Sequence, residues 1–331
     1  MPQHVAAVGC AVLVAGLVGL TSCASEGEQA APAATTSASS APTDVPDYPV
    51  HPVPDEAVIE LASPDWLADA GDDGIWVKLD HGPALRLDPV TGAILTTAPV
   101  AGELCQGLGA GLGYIWSCSD TDIVRIDPAS GQVEATFPVA KARQQGNIAV
   151  ADDLVWVLTG DGSTLLGLDA VSGETTTTVP LGVRGNDLAA GDAGLWVVSS
   201  LDGQALRVDP DTGTVDRRVE DLDQPFAIAV SDQVWVSGGS TVRIDPDSGE
   251  VLLTSPLGSG DLGGIALGED LVWVRNAERL LVGLDPTDGA PVVGYDWPDG
   301  TAPGDVLAAA GAVWVSYNDK GVFRLDPDPA G

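Results

Sequence analysis

Apolar residues in this chain come in short runs, each centred on a tryptophan and each fenced by Gly, Asp or Pro. The runs are Ile75-Trp76-Val77, Ile115-Trp116, Val155-Trp156-Val157, Leu195-Trp196-Val197-Val198, Val234-Trp235-Val236, Val272-Trp273-Val274 and Val313-Trp314-Val315. Successive tryptophans stand 40, 40, 40, 39, 38 and 41 residues apart. Behind each comes an Arg-apolar-Asp-Pro-x-Thr/Ser/Asp-Gly phrase or a worn copy of it, with its aspartate at Asp88, Asp127, Asp169, Asp209, Asp245, Asp285 and Asp326. Runs this short, rich in β-branched residues and separated by turn chemistry, predict strands. A period near 40 residues predicts one four-stranded blade per repeat. The fold expected is all-β: a seven-bladed β-propeller of four-stranded antiparallel blades.

In the fourth copy the expected strands are 187–190, 195–199, 205–208 and 214–219. Asp209-Pro210-Asp211-Thr212-Gly213 is the hairpin between the last two, where Pro presets φ and Gly supplies a positive φ. Asp-x-Asp-x-Gly also has a faint calcium-loop look, but the other ligands of such a loop are absent. The seven tryptophans read as core, each removing roughly 150–250 Å² from water. The last copy stops at Asp326, where the other blades begin an outer strand. Glu56-Ala57-Val58-Ile59-Glu60-Leu61-Ala62-Ser63-Pro64 matches the outer-strand phrase Glu250-Val251-Leu252-Leu253-Thr254-Ser255-Pro256. An N-terminal strand is therefore expected to close the last blade.

Ahead of the repeats, Val5 to Leu20 is an apolar run too short to span a bilayer comfortably. It ends in Leu20-Thr21-Ser22-Cys23, which resembles the lipobox of bacterial lipoproteins, although Met1-Pro2-Gln3-His4 lacks the usual basic residue. The resemblance implies cleavage before Cys23, lipidation of its thiol, and a membrane-anchored protein on the extracytoplasmic side. Residues 24–54, rich in Ala, Ser, Thr and Pro, are expected to be a flexible tether. The organisation expected is a signal peptide over 1–22, a tether over 23–54 and the propeller over 55–331. Of the other cysteines, Cys10 leaves with the signal. Cys105 and Cys118 flank a Gly-rich turn on neighbouring strands, where an exported protein is expected to form a disulfide.

Charge changes the picture of partners. Against 48 Asp and Glu stand 14 Lys and Arg, a net charge of −34, which disfavours nucleic acid. The inner turns and the Asp-Pro turns share one acidic rim. The other rim collects Lys78, Lys141, Arg143, Arg184, Arg275, Arg279 and Lys320 among its own acids. Five further arginines, Arg86, Arg125, Arg207, Arg243 and Arg324, precede the Asp-Pro phrase and read as structural.

The repeat resembles the bacterial propellers called YVTN-like, NHL-like or streptogramin-lyase-like. The lyases of that group use histidines and glutamates around a magnesium ion, whereas this propeller has one histidine, His81. Quinoprotein dehydrogenases carry similar Asp-x-x-Thr-Gly phrases on eight blades with a calcium-cofactor site; seven blades are counted here and no such site. The function expected is a ligand- or protein-binding module, with no cofactor and a monomeric state. The alternative is an extracytoplasmic lyase or lactonase-like hydrolase using an acid-bound divalent cation. The candidate ligand positions ring the mixed rim: Trp66, His81, Lys141, Arg143, Gln144, Asn147, Arg184, Asn186 and Arg275. A sugar or small anion would suit an exposed aromatic beside amides and bases. Trp66 is equally open to a role covering the seam where the chain enters blade one.

Overall fold

Each Trp-centred run becomes the second strand of a blade, because its residues face packed neighbours on both sides of the sheet. The structure, a computed structural model, describes residues 45–100, 107–119, 122–139, 147–261, 263–297, 303–318 and 320–328. Cys23, Cys105, Gln106, Lys141, Arg143 and Gln144 lie outside them. The described strands form seven sheets. In blade four the order from axis to edge is Asp187–Gly191, Gly194–Ser199, Gln204–Asp209 and Thr214–Val219, all antiparallel. These bounds match the expected ones to within a residue or so. Among the described residues helix is limited to two 3₁₀ turns, Asp55–Ala57 and Gly71–Asp73, and no helix there is long and apolar enough to cross a membrane.

All seven repeated tryptophans are buried, at 0 or 1% exposure. Several spend the indole N–H on a backbone carbonyl near the inner hairpin: Trp116 on Gly111, Trp156 on Ala151, Trp196 on Ala193 and Trp314 on Ala309. In the Asp-Pro turns the aspartate side chain accepts hydrogen bonds from the backbone ahead of it. The Asp88 carboxylate takes the N–H groups of Val90 and Thr91 and the Thr91 hydroxyl. Asp127, Asp169 and Asp245 repeat the pattern with serines.

The structural arginines latch one blade to the next. Each stands opposite the tryptophan of its own blade, as Arg86 does opposite Trp76 and Arg243 opposite Trp235. From there the guanidinium donates to a carbonyl in the Asp-Pro turn of the following blade. Arg86 reaches Ala129, Arg125 Ala170, Arg207 Pro246, Arg243 Pro286 and Arg324 Pro89. In blades three and six the same position is Gly167 or Gly283. A Cβ there would stand 2.9 Å from Trp156 or 3.0 Å from Trp273, so in these two blades the indole takes the room the arginine uses elsewhere.

The ring closes as expected. Val58–Glu60 pairs antiparallel with Gly321–Leu325 and is the outer strand of blade seven. Ile59 then covers the Asp-Pro turn of blade one, where a Cβ on Gly92 would meet its Cδ1 at 2.4 Å. One feature was not expected. Val50–His51, inside the segment read as tether, is a strand that adds parallel to Pro291–Tyr295 and makes blade six five-stranded. Gly294 and Asp296 donate their N–H groups to Pro49 and His51. The Tyr48 ring lies over Gly294, where a Cβ would meet it at 2.8 Å. The end of the expected tether is thus laid on the propeller, held by backbone groups of an edge that would otherwise stay open.

Candidate functional site

Register fixes which residues face the axis at the mouth. In the blades other than blade two, two positions before the residue that pairs with the tryptophan stand Trp66, Asn147, Asp187, Ala227, Gly264 and Asp305. They line a cavity of about 660 Å³ that runs down the inner strands, bounded by blades one and three to seven. Its polar groups are Asp65, Asp187, Asp261 and Asp305 with Asn147, Asn186, Asn318 and Ser231. Its walls are apolar, from Phe226, Ile228, Ile265, Leu267 and Leu307. No Lys or Arg is among the described lining residues.

Two of the carboxylates are already engaged in holding blades together. Asp187 accepts the N–H of Leu188 in its own strand and of Ile228 in blade five. Asp305 does the same with Val306 and with Leu67 of blade one. Ser316 ties the latter seam further: its hydroxyl donates to the Asp65 carbonyl and accepts the Asp305 N–H. Asp65 differs. Its strand, Pro64–Asp69, has a register irregularity between Pro64 and Leu67 that sets Asp65 and Trp66 into the mouth. The Asp65 carboxyl accepts no hydrogen bond from a described residue. Burial, with the neighbouring Asp305 and Asp80 charges, pushes it up to about 7 against the pull of Lys78. Burial likewise pushes Asp305 up to about 7, although its two backbone donors pull the other way.

Two cations stand behind this wall. Lys78 is fully buried, its ammonium donating to the carbonyls of Leu79 and Gly82. Burial brings it down to about 8, against Asp80 and Asp65. Arg275 is also fully buried and pairs across the sheet with Gly264 through its N–H. A Cβ on Gly264 would stand 2.7 Å from the Arg275 Cγ. The guanidinium sits over the Trp297 ring at 4.8 Å, and burial brings it down to about 10.

Of the residues picked out by sequence, three come together at the mouth: Trp66, Asn147 and Asn186. Trp66 packs against the core between blades one and two as well as lining the cavity. Asn186 is a strut, donating to the Phe226 carbonyl and accepting the Ser200 N–H. Asn147 accepts the N–H of Ile148. Arg184 turns away from the cavity toward the Asp161 carbonyl, and Arg275 is wall, not rim. His81 is exposed on the loop after the second strand of blade one, 3.4 Å from Asp80. Cys118 is buried in the second strand of blade two.

Sequence reasoning missed Asp65, Lys78 as an interior group, Asp305 and Phe226. Asp305 had a signal, since it stands in the same register as Asp187. Of the bases expected behind a sugar or anion on the mixed rim, none is among the described residues lining the cavity, whose polar groups are acids, amides and Ser231. Among the described residues no group of three or more His, Cys, Asp or Glu is placed to hold a metal ion.

A protein-family match described as outer membrane protein assembly factor BamB covers residues 81–260. No curated protein matches the chain. Among solved structures the fold is similar to that of BamB from Moraxella catarrhalis. That likeness has a TM-score of 0.54 and 15% identity over 78% of this chain and 83% of that one.

Proposed function

Since this chain belongs to the family of the outer membrane protein assembly factor BamB, we propose that it is an extracytoplasmic protein-interaction module, anchored to the membrane through Cys23. The observation that carries the reading is the cavity at the channel mouth. It runs down the inner strands of a closed ring from the end that carries Asp65, Asn186 and Asp305, and loops over a rigid scaffold are where such folds bind. The family name ties its members to the assembly of outer membrane proteins. The role inferred here is of the same kind, holding another envelope protein against the mouth rim. The tether up to about Val45 gives the ring reach from the lipid. A disulfide between Cys105 and Cys118 belongs to the same reading, and alkylation of both thiols in the unreduced protein would refute it.

Photo-crosslinking in intact cells tests this function. A photoreactive residue at Leu201, 75% exposed in a loop on the mouth rim, is compared with one at Val171, 80% exposed in an Asp-Pro turn on the opposite rim. The expected result is a discrete crosslinked partner from Leu201 and none from Val171. In the Cys23→Ser background the protein should leave the membrane fraction and lose that crosslink. Equal crosslinking from both rims, or an unchanged membrane fraction for Cys23→Ser, overturns the corresponding half of the reading.

A further inference from the structure

We infer that the mouth cavity is a binding site for a primary alkylammonium group, with the Asp65 carboxyl as its counter-ion and the inner strands as the sleeve for its alkyl stem. The inference deepens the interaction reading above and rests on it only for the source of the group, which is either a lysine side chain of a partner or a free diamine.

The cavity selects by charge first. An anion entering it would face Asp65, Asp187, Asp261 and Asp305 with no described Lys or Arg in the lining. The two cations nearby cannot serve such a ligand. Lys78 is turned onto carbonyls inside blade one, and Arg275 is sealed behind Gly264. A neutral ligand would leave the part-buried Asp65 carboxyl at the mouth without a hydrogen-bond donor, which is costly. Asp187 and Asp305 each accept two backbone N–H groups and are spent on the seams. Asp65 takes none from a described residue, and the register irregularity at Pro64–Leu67 is what carries its side chain to the cavity. An ammonium ion supplies the hydrogen-bond donors it lacks and adds a positive charge to the pull of Lys78.

The walls select next. Below the carboxyls the lining turns to Ile228, Ala229, Ile265, Leu307 and Ala308. Such a lining suits the methylenes of a free diamine held by one ammonium at the polar mouth, whereas a partner's lysine, entering tip first, meets Asp65 with its stem against Trp66 and Phe226. Trp66 and Phe226 line the same entrance, and aromatic rings attract cations at short range. A volume near 660 Å³ holds one extended side chain or a small diamine with its waters.

Titration supplies a further handle. The ammonium ion pairs with ionised Asp65, so binding should strengthen as pH rises through the carboxyl's value of about 7. The groups facing it are Lys78 and Asp80 from its own blade and Asp305 from blade seven. Beyond these stand Asp187 near Asp305, and Arg275 behind Gly264. Lys78 begins to titrate at about 8, so the useful window closes below that.

The test is calorimetric titration of the propeller in the full mature chain. The probes are 1,5-diaminopentane, the blocked peptide acetyl-Gly-Lys-Gly-amide, and the same peptide with Gln for Lys. Salt of about 0.15 M screens acids beyond roughly 8 Å. The expected result is saturable one-to-one binding of the diamine, the lysine peptide or both, and none of the glutamine peptide. Asp65→Asn, and Asp65→Ser as a second variant should the first not fold, should weaken it about tenfold or more. Wild-type affinity should rise about eightfold between about pH 6 and about pH 7.5, the change in ionised fraction. Binding of the lysine peptide alone assigns the group to a protein partner, and of the diamine alone to a metabolite. Equal binding by wild type and both variants marks diffuse attraction to an acidic protein and overturns the inference, as does saturation by neither probe. A Leu201 crosslink that survives Asp65→Asn while amine binding is absent would remove the site and leave the interaction reading standing. Amine binding without any crosslink would do the reverse.

Discussion

Opposite each buried tryptophan the chain places either an arginine or a glycine, and that choice decides how neighbouring blades are joined. Where it is arginine, the stem packs over the blade's own core and the guanidinium reaches a turn carbonyl in the next blade. Arg243 shows both: it lies 6.0 Å from the Trp235 ring centre and 2.8 Å from the Pro286 carbonyl. Arg243→Ala removes a charged hydrogen bond and part of an apolar cover, and should cost about 1–2 kcal/mol by denaturant unfolding. Arg184→Ala, whose exposed guanidinium donates to the Asp161 carbonyl at 3.3 Å and stands near the Asp202 carboxylate, should stay within about 0.5 kcal/mol. Equal losses would mean that these arginines do not latch the ring. The arginine pattern was legible from its place before Asp-Pro. What was not legible was why blades three and six depart from it, since nothing local says that an indole will fill the space over Gly167 or Gly283. The same logic hid Arg275. As a base it reads as rim, yet its partner across the sheet is Gly264, and the missing side chain is what lets a guanidinium lie inside the wall.

Two N-terminal strands act on the ring with different strength, and the difference follows from what each buries. Val58–Glu60 supplies Val58, beside buried Ala57, to the core between blades six and seven and Ile59 to that between blades seven and one. Removing residues 55–62 reopens that seam and should cost about 4 kcal/mol or more. Val50–His51 offers two hydrogen bonds to Gly294 and Asp296 and the cover of Tyr48. Its removal with residues 45–52 should cost about 2 kcal/mol and leave the ring closed. Deleting residues 25–44 should leave the melting temperature within about a degree. A larger loss from 45–52 than from 55–62 would show that the fifth strand of blade six, not the closing strand of blade seven, holds the ring. The closing strand could be read from sequence because its phrase copies another outer strand. The added one could not: Tyr48-Pro49-Val50-His51-Pro52 is two strand residues between prolines, and half its code is a glycine some 240 residues away.

At the scale of the whole molecule, the acids divide into two populations that pull stability in opposite directions with pH. In the Asp-Pro turns, backbone and hydroxyl donors hold Asp88, Asp127, Asp169, Asp209, Asp245 and Asp285 below the usual carboxylate value, and in a second-to-third-strand loop Ser163 and Thr159 bring Asp161 down to about 2. A carboxyl depressed in the fold binds protons more weakly folded than unfolded. Its contribution is complete above the unfolded value and is lost as pH falls through the folded one. Asp65 and Asp305 behave oppositely. Raised to about 7 by burial, they bind protons more tightly folded than unfolded, so stability falls as pH climbs from the usual carboxylate value through 7. Repulsion within a chain of net charge −34 adds to the same slope. Melting temperature should therefore peak at mildly acidic pH, about 4 to 6, drop steeply below that window and decline gently above it. Asp65→Asn should flatten the upper limb and leave the lower one unchanged, because the turn carboxylates are untouched. A melting temperature that rises steadily to pH 8 would mean that the mouth carboxyls are not raised in the fold. That result would remove the pH dependence expected of amine binding, whereas the arginine latches and the strand closure would stand.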